Sequence, residues 1–311
     1  MLRVVFMGTP AFAVPSLRGL TQTGYDVAAV FTQPDRPVGR GGKLTAPPVK
    51  QAAVELGLEV YQPESAKTAE VYAYLLDKNP DVIVVVGYGQ IISQRVIDLP
   101  RLGCVNVHSS LLPRLRGAAP INWAIVRGDK KTGVSTMQIV KKLDAGDVLG
   151  VKETSIGDDE YAPELAERLA RMGAELLIET LKRWEKGVIT PQPQDDAAST
   201  YAPIMERQDG LVDWNLPGQE IYNRVRGFSP WPGAYTFFRG KRFHIHRALV
   251  THGQAAPAEM VTRGAVLKIG CGEGLLQALE VQLEGKRATV AEHFVNGYRP
   301  AAGETFSDRA G

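Results

Sequence analysis

Uninterrupted apolar runs alternate, in the first third of the chain, with stretches of helical periodicity. "LRVVFMG" (2–8), "DVAAVFT" (26–32) and "DVIVVVGYG" (81–89) are continuous apolar segments, as expected of strands buried on both faces of a parallel sheet. Segments 11–22, 47–57 and 67–78 read as helices between and after them. Strand–helix alternation implies right-handed crossovers and a twisted sheet with helices on both faces. The first fold expectation is therefore an α/β, Rossmann-like domain, whose ligands would sit outside the carboxyl ends of its strands.

Two further strands, 134–140 and 147–156, are expected to be antiparallel, which makes the sheet mixed. In 160–184, Leu165, Leu169, Met172, Leu176 and Trp184 recur at helical spacing and form one apolar stripe. "KGVITPQPQDDAASTYAPIM" (186–205) has three prolines and little periodicity, and reads as a linker. Beyond it, 216–228 predicts a short helix. "GAYTFFRG", "KRFHIHRALV", "GAVLKIG" and "GLLQALEVQLEG" then predict short antiparallel strands of a small, OB-like barrel. The expected organisation is a first domain over 1–186, a linker over 187–204 and a second domain over 205–311.

Composition narrows this modestly. At 311 residues and 44% hydrophobic content the chain can build two cores. No apolar run is long enough to span a membrane, and no signal or transit pattern precedes the first strand. Cys104 and Cys271 are far apart and outside any CxxC pair, so a disulfide framework or cysteine-based zinc site is not expected and a reducing cytoplasm fits. The net charge of +2 lies wholly within 206–311 and decides nothing about nucleic acid. More pointed is "QPDRPVGRGGKLTAPPVK" (33–50), where Arg36, Arg40, Lys43 and Lys50 face a single acid, Asp35.

Several common sites are missing. "MGTPAF" lacks the second and third glycines of a dinucleotide-binding turn, and "GRGGKL" (39–44) lacks P-loop spacing. His244 and His246 alternate on a predicted strand, but no third ligand is in view, and ordinary barrel-surface histidines are the preferred reading. "CVNVHSSLLP" (104–113) is different. Asn106 and His108, two apart on a strand, point to one face at its end. Taken alone they fit a satisfied polar strand end. "KKLDAGDVLG" (141–150) adds Asp144 on a loop. An amide N–H for an oxyanion, an imidazole for a proton and a carboxylate to support it suit acyl or formyl transfer to an amine without a covalent enzyme intermediate.

"NVHSSLLPRLRGAAPINWAIVRGD" together with "LDAGDVL" closely resembles the folate-dependent formyltransferases, and the likeness extends to "FSPWPGAY" (228–235). The resemblance implies a catalytic trio of Asn106, His108 and Asp144. It implies a folate slot formed by Ser110, Leu111, Leu112 and Pro113, with Val86, Gly87, Tyr88, Gly89 and Ile91 lining the pterin partly through backbone groups. The donor would be 10-formyltetrahydrofolate, with no metal. Ser109 stands where many relatives have glycine, and Arg207 where lysine is frequent.

Substrate choice must come from elsewhere, since amino-sugar formyltransferases share the trio. "FTQPDRPVGRGGKLTAPPVK" (31–50) looks like the basic insertion loop by which family members acting on initiator methionyl-tRNA reach the acceptor end. That likeness implies RNA contacts by Arg36, Arg40 and Lys43. The expected partners are thus initiator methionyl-tRNA and the folate donor, with no membrane, for a monomer. The competing expectations are formyl transfer to an amino-sugar nucleotide, or RNA binding without catalysis.

Overall fold

The computed structural model describes residues 2–38, 42–301 and 303–309. In order come β1 (Arg3–Gly8), α1 (Val14–Gln22), β2 (Asp26–Phe31), β3 (Arg36–Val38), β4 (Lys43–Thr45), α2 (Pro48–Glu55), β5 (Val60–Tyr61), α3 (Ala69–Lys78), β6 (Val82–Val86), α4 (Gln94–Ile97), β7 (Cys104–His108), β8 (Arg116–Gly117), α5 (Pro120–Val126), β9 (Lys131–Gln138), β10 (Val148–Ser155) and α6 (Ala162–Glu185). The chain then continues through β11 (Tyr201–Ala202), α7 (Gly218–Gly227), β12 (Ala234–Phe238), β13 (Lys241–Thr251), β14 (Met260–Arg263), β15 (Val266–Gly270), β16 (Leu275–Leu283), β17 (Thr289–Val290) and α8 (Ala291–Tyr298). It forms two compact units. One holds 1–117, 131–155 and 166–202; the other holds 118–130, 156–165 and 203–311.

The first unit is built on a seven-stranded sheet in the order β10-β9-β7-β6-β1-β2-β5. The pairs from β7 to β5 are parallel, and β9 and β10 run antiparallel at one edge. This is the mixed α/β sheet the alternation predicts. Its two faces bury separate cores. Val4, Phe6, Val82, Val84, Val86, Val105 and Val107 pack on one side with Leu177 and Leu181 of α6. Val5, Met7, Ile83, Val85 and Cys104 pack on the other with Val71 and Leu75 of α3. Strands buried on both faces are continuous in apolar character because neither parity meets water. At Gly173 an added Cβ would lie 2.8 Å from Val107, so α6 crosses close over β7.

The proline-rich segment expected as a linker is tied into the first unit. The backbones of Gln192 and Val148 exchange both hydrogen bonds, at 2.9 Å each. The Leu115 N–H donates to Thr200 Oγ1 (2.9 Å), the Arg116 N–H donates to the Thr200 carbonyl (2.9 Å), and β11 pairs with β8.

The second unit carries the antiparallel sheet β12-β13-β16-β15-β14, with β17 beside β16. Its core gathers Trp214, Ile221, Phe238, Phe243, Ile245, Leu267, Ile269, Val281 and Phe294. The last described residues close the gap between its edge strands. Ser307 exchanges backbone hydrogen bonds with Phe237 of β12. The Met260 N–H of β14 donates to the Glu304 carbonyl at 2.8 Å. Closure of this kind shortens the unpaired edges of a sheet. Among the described residues no helix is long and apolar enough to cross a membrane.

Candidate active site

β7 ends the site's central strand. It pairs with β6 on one side (Asn106 opposite Val85) and β9 on the other (Asn106 opposite Met137, His108 opposite Ser135). Val105 and Val107 point into the α6-side core, so Asn106 and His108 share the opposite face. Asn106 is half-buried and His108 is 6% exposed.

The loop after β7 folds back on itself. The Ser110 hydroxyl donates to the Arg114 carbonyl (2.6 Å). The Ser135 hydroxyl donates to the Ser110 carbonyl (2.7 Å) and accepts from the Leu112 N–H (3.2 Å). The Leu112–Pro113 bond is cis, and Leu115 adopts φ +56°. The turn delivers the Leu115 carbonyl to within 2.9 Å of His108 Nε2. A carbonyl only accepts, so Nε2 carries a proton and, in the neutral ring, Nδ1 keeps its lone pair. His108 Nδ1 faces Asp144 Oδ2 at 3.9 Å.

Asp144 sits on the loop between β9 and β10 with φ +46°, a left-handed conformation uncommon for a side chain with a Cβ. Its Oδ2 accepts the Gly117 N–H at 2.8 Å, and its carbonyl accepts from Gln194 Nε2 at 2.9 Å. His108 thus stands between a carbonyl that fixes the proton on Nε2 and a carboxylate that faces Nδ1. The arrangement can accept one proton at Nδ1 and hold the resulting charge.

The residues expected around the pterin divide by orientation. Gly87 and Gly89 are exposed with φ of +56° and +80°, and Ile91 is 72% exposed. At Gly87 an added Cβ would lie 3.0 Å from the Pro10 ring, so the bare backbone there is a requirement of the close turn. Val86 points into the core on the face opposite Asn106, and the Tyr88 ring is buried, its hydroxyl pushed up to about 12 by desolvation. The Tyr88 carbonyl already accepts from Thr9 Oγ1 (2.8 Å) and Gln33 Nε2 (3.3 Å). Leu111 and Pro113 are half-buried, Leu112 is 9% exposed, and Ser110 is fully buried with its hydroxyl turned into the loop. Glycine backbone, Ile91, Leu111 and Pro113 are therefore the parts of this set that solvent reaches, and they suit a flat, partly apolar ligand.

The basic segment forms a small antiparallel hairpin of β3 and β4, with Arg36 opposite Thr45 and Val38 opposite Lys43. Arg36 and Lys43 are exposed; Arg40 lies outside the described residues. Lys50 is not part of that exposed set. It pairs with Asp35 at 2.7 Å, and hydrogen bonds from Gln62 and then Lys50 hold the Asp35 carboxyl below its usual range. On β13, the His244 and His246 rings stack 6.0 Å apart, and burial pushes His244 down to about 4. Among the described residues no third His, Cys, Asp or Glu joins them as a metal-holding group.

Three contacts were not legible in the motifs: the Leu115 carbonyl on His108, the Gly117 N–H on Asp144, and the Gln194 amide behind Asp144. Gly117 is directly testable. Its φ is +114°, and an added Cβ would lie 2.5 Å from the Ala202 carbonyl oxygen and 2.6 Å from the Tyr201 ring. Gly117→Ala should cost about 1–3 kcal/mol of stability through backbone strain and overpacking and should lower turnover with it. Urea unfolding beside a rate measurement checks this; an unchanged midpoint would show that the loop yields freely.

Residues 2–181 match the family described as formyl transferase, and residues 204–299 match its C-terminal domain. The methionyl-tRNA formyltransferase of Solibacter usitatus (strain Ellin6076) is 51% identical over 308 residues, covering 99% of each chain. That of Koribacter versatilis (strain Ellin345) is 53% identical over 299 residues, covering 96% of each. Among solved structures, HypX from Aquifex aeolicus in complex with tetrahydrofolic acid superposes with a TM-score of 0.64 at 18% identity. That match covers 97% of this chain, which spans about half (48%) of the HypX chain, and it supports the fold alone.

Proposed function

The chain belongs to the formyl transferase family, and from that premise we propose that it moves the formyl group of 10-formyltetrahydrofolate onto the free amino group of the methionyl moiety on initiator methionyl-tRNA, for translation initiation. The observation that carries the chemistry is His108, with Nε2–H committed to the Leu115 carbonyl and Nδ1 turned to Asp144. The choice of acceptor is supported by the full-length likeness to relatives bearing that activity.

The donor supplies an activated formyl carbon. Asn106 offers an N–H to the oxygen of that carbon as negative charge develops on it. The methionyl nitrogen forms the new C–N bond and releases a proton to His108 Nδ1. The bond from carbon to the folate nitrogen breaks, and the proton held on His108 is available to that nitrogen. Asp144 balances the imidazolium while it lasts. The exposed Gly87–Gly89 backbone, Ile91, Leu111 and Pro113 offer the pterin a surface. In this reading 1–186 performs the chemistry, 205–311 binds RNA, 187–204 joins them while packed on the first unit through Gln192, Gln194 and Thr200, and the protein works as a monomer in the cytoplasm.

The acceptor is tested by supplying one donor with either methionyl-tRNA or an amino-sugar nucleotide. Formylmethionine on the tRNA is expected; transfer only to the sugar would replace this reading with its nearest competitor. Arg36→Ala with Lys43→Ala should raise the Michaelis constant for methionyl-tRNA. It should also lower the salt slope of tRNA binding by roughly one unit per lost phosphate contact, or slightly less for single strands. Donor affinity should stay fixed. An unchanged slope would remove the hairpin from the RNA interface.

A further inference from the structure

We propose that Gln194 is a positioning residue for formyl transfer, setting the carboxylate that faces His108 by bridging the two loops that supply the imidazole's partners; this rests on the assignment of His108 and Asp144 to catalysis.

The geometry behind this is specific. Gln194 Nε2 donates to the Asp144 carbonyl at 2.9 Å and to the Gly146 carbonyl at 2.7 Å, which uses both protons of the amide. Gln194 Oε1 accepts from Arg116 Nε at 3.0 Å. The amide's orientation is therefore fixed, since guanidinium only donates and carbonyls only accept. Arg116, 7% exposed, also donates from Nη1 to Asp196 Oδ1 at 2.7 Å. Lys142 pairs with the other oxygen of Asp196, and these two cations hold that carboxyl below its usual range, Lys142 first.

Gln194 thus touches both loops at once. One carries Asp144, whose left-handed φ of +46° persists only where surrounding contacts over-determine it. The other runs through Leu115, Arg116 and Gly117, supplying the carbonyl on His108 Nε2 and the N–H on Asp144 Oδ2. The segment bearing Gln194 is itself pinned on either side, at Gln192 to Val148 and at Thr200 to Leu115 and Arg116. Gln194 thus bears on the carboxylate from two sides, through the backbone of Asp144 and through Arg116 to the Gly117 N–H that Asp144 Oδ2 accepts. A shift of the carboxylate by even about 1 Å is enough to cost about 10²-fold in rate.

Two variants separate this role from general support. Gln194→Ala removes every contact. Gln194→Glu keeps an acceptor for Arg116 but has no proton for the two carbonyls. Both should lower kcat by about 10- to 100-fold, with the Michaelis constants for donor and methionyl-tRNA changed by no more than about threefold. Should Gln194→Ala fail to fold, Gln194→Glu is the variant read. Combined with Asp144→Ala, either should be no slower than Asp144→Ala alone, because both act through one carboxylate. Normal kcat in Gln194→Glu, or losses that multiply in the double variant, would overturn the proposal and leave the His108–Asp144 assignment standing. Normal kcat in Asp144→Ala would remove that assignment and this inference with it.

Discussion

His108→Ala should lower kcat by about 10²–10⁴-fold, the usual worth of a positioned general base, and Asn106→Ala by about 10²–10³-fold, the usual worth of one oxyanion donor. The two act on different atoms. His108 presents the lone pair of Nδ1 because Nε2–H is held by the Leu115 carbonyl. Asn106, on the same face of β7, presents a neutral N–H and takes no proton. Charge develops on the carbonyl oxygen and the attacking nitrogen only as the reaction proceeds, so the losses should fall on turnover, with donor affinity changed little. Equilibrium binding of the folate beside single-turnover rates separates the two effects. Near-normal turnover in His108→Ala would mean that another group accepts the proton.

Asp144→Asn should reduce turnover by about 10- to 10³-fold with the loop kept in place. The amide can still accept the Gly117 N–H, and its backbone still receives Gln194, so the substitution removes charge and little else. An ion pair at about 4 Å is worth about 4 kcal/mol at an effective dielectric near 20, and in the proposed reaction Asp144 offers it while His108 carries the transferred proton. Asp144 is largely sheltered, its side chain 13% exposed, so salt should restore little of the loss. Full activity in Asp144→Asn would reduce Asp144 to a support for its loop.

The sheet was legible because its strands are apolar at both parities, and the site because period two places Asn106 and His108 on one face. The same periodicity shows less at the edges. "DVIVVVGYG" reads as one strand, yet β6 stops at Val86, where Gly87 takes a positive φ. The contacts that hold Asp144 left no pattern at all. They run from one glutamine amide to two backbone carbonyls, across about fifty residues of sequence. "ITPQPQDD" carries no periodicity that reveals them, and its prolines suggested a freer segment than the hydrogen bonds of Gln192, Gln194 and Thr200 allow. Closure of the second unit's sheet by Glu304–Ser307 was equally silent, since a few paired backbone groups need no apolar run. Of the basic cluster, the sequence could not say that Lys50 is held by Asp35 while Arg36 and Lys43 stay exposed.

The most direct test of the whole account follows the formyl carbon through a single turnover with isotopically labelled 10-formyltetrahydrofolate and initiator methionyl-tRNA. The arrangement of Asn106, His108 and Asp144 predicts one formylmethionine on tRNA for each tetrahydrofolate released, with negligible free formate. Label recovered as formate, with no formylmethionine, would contradict it, because water and not the methionyl amine would then be the nucleophile the site serves.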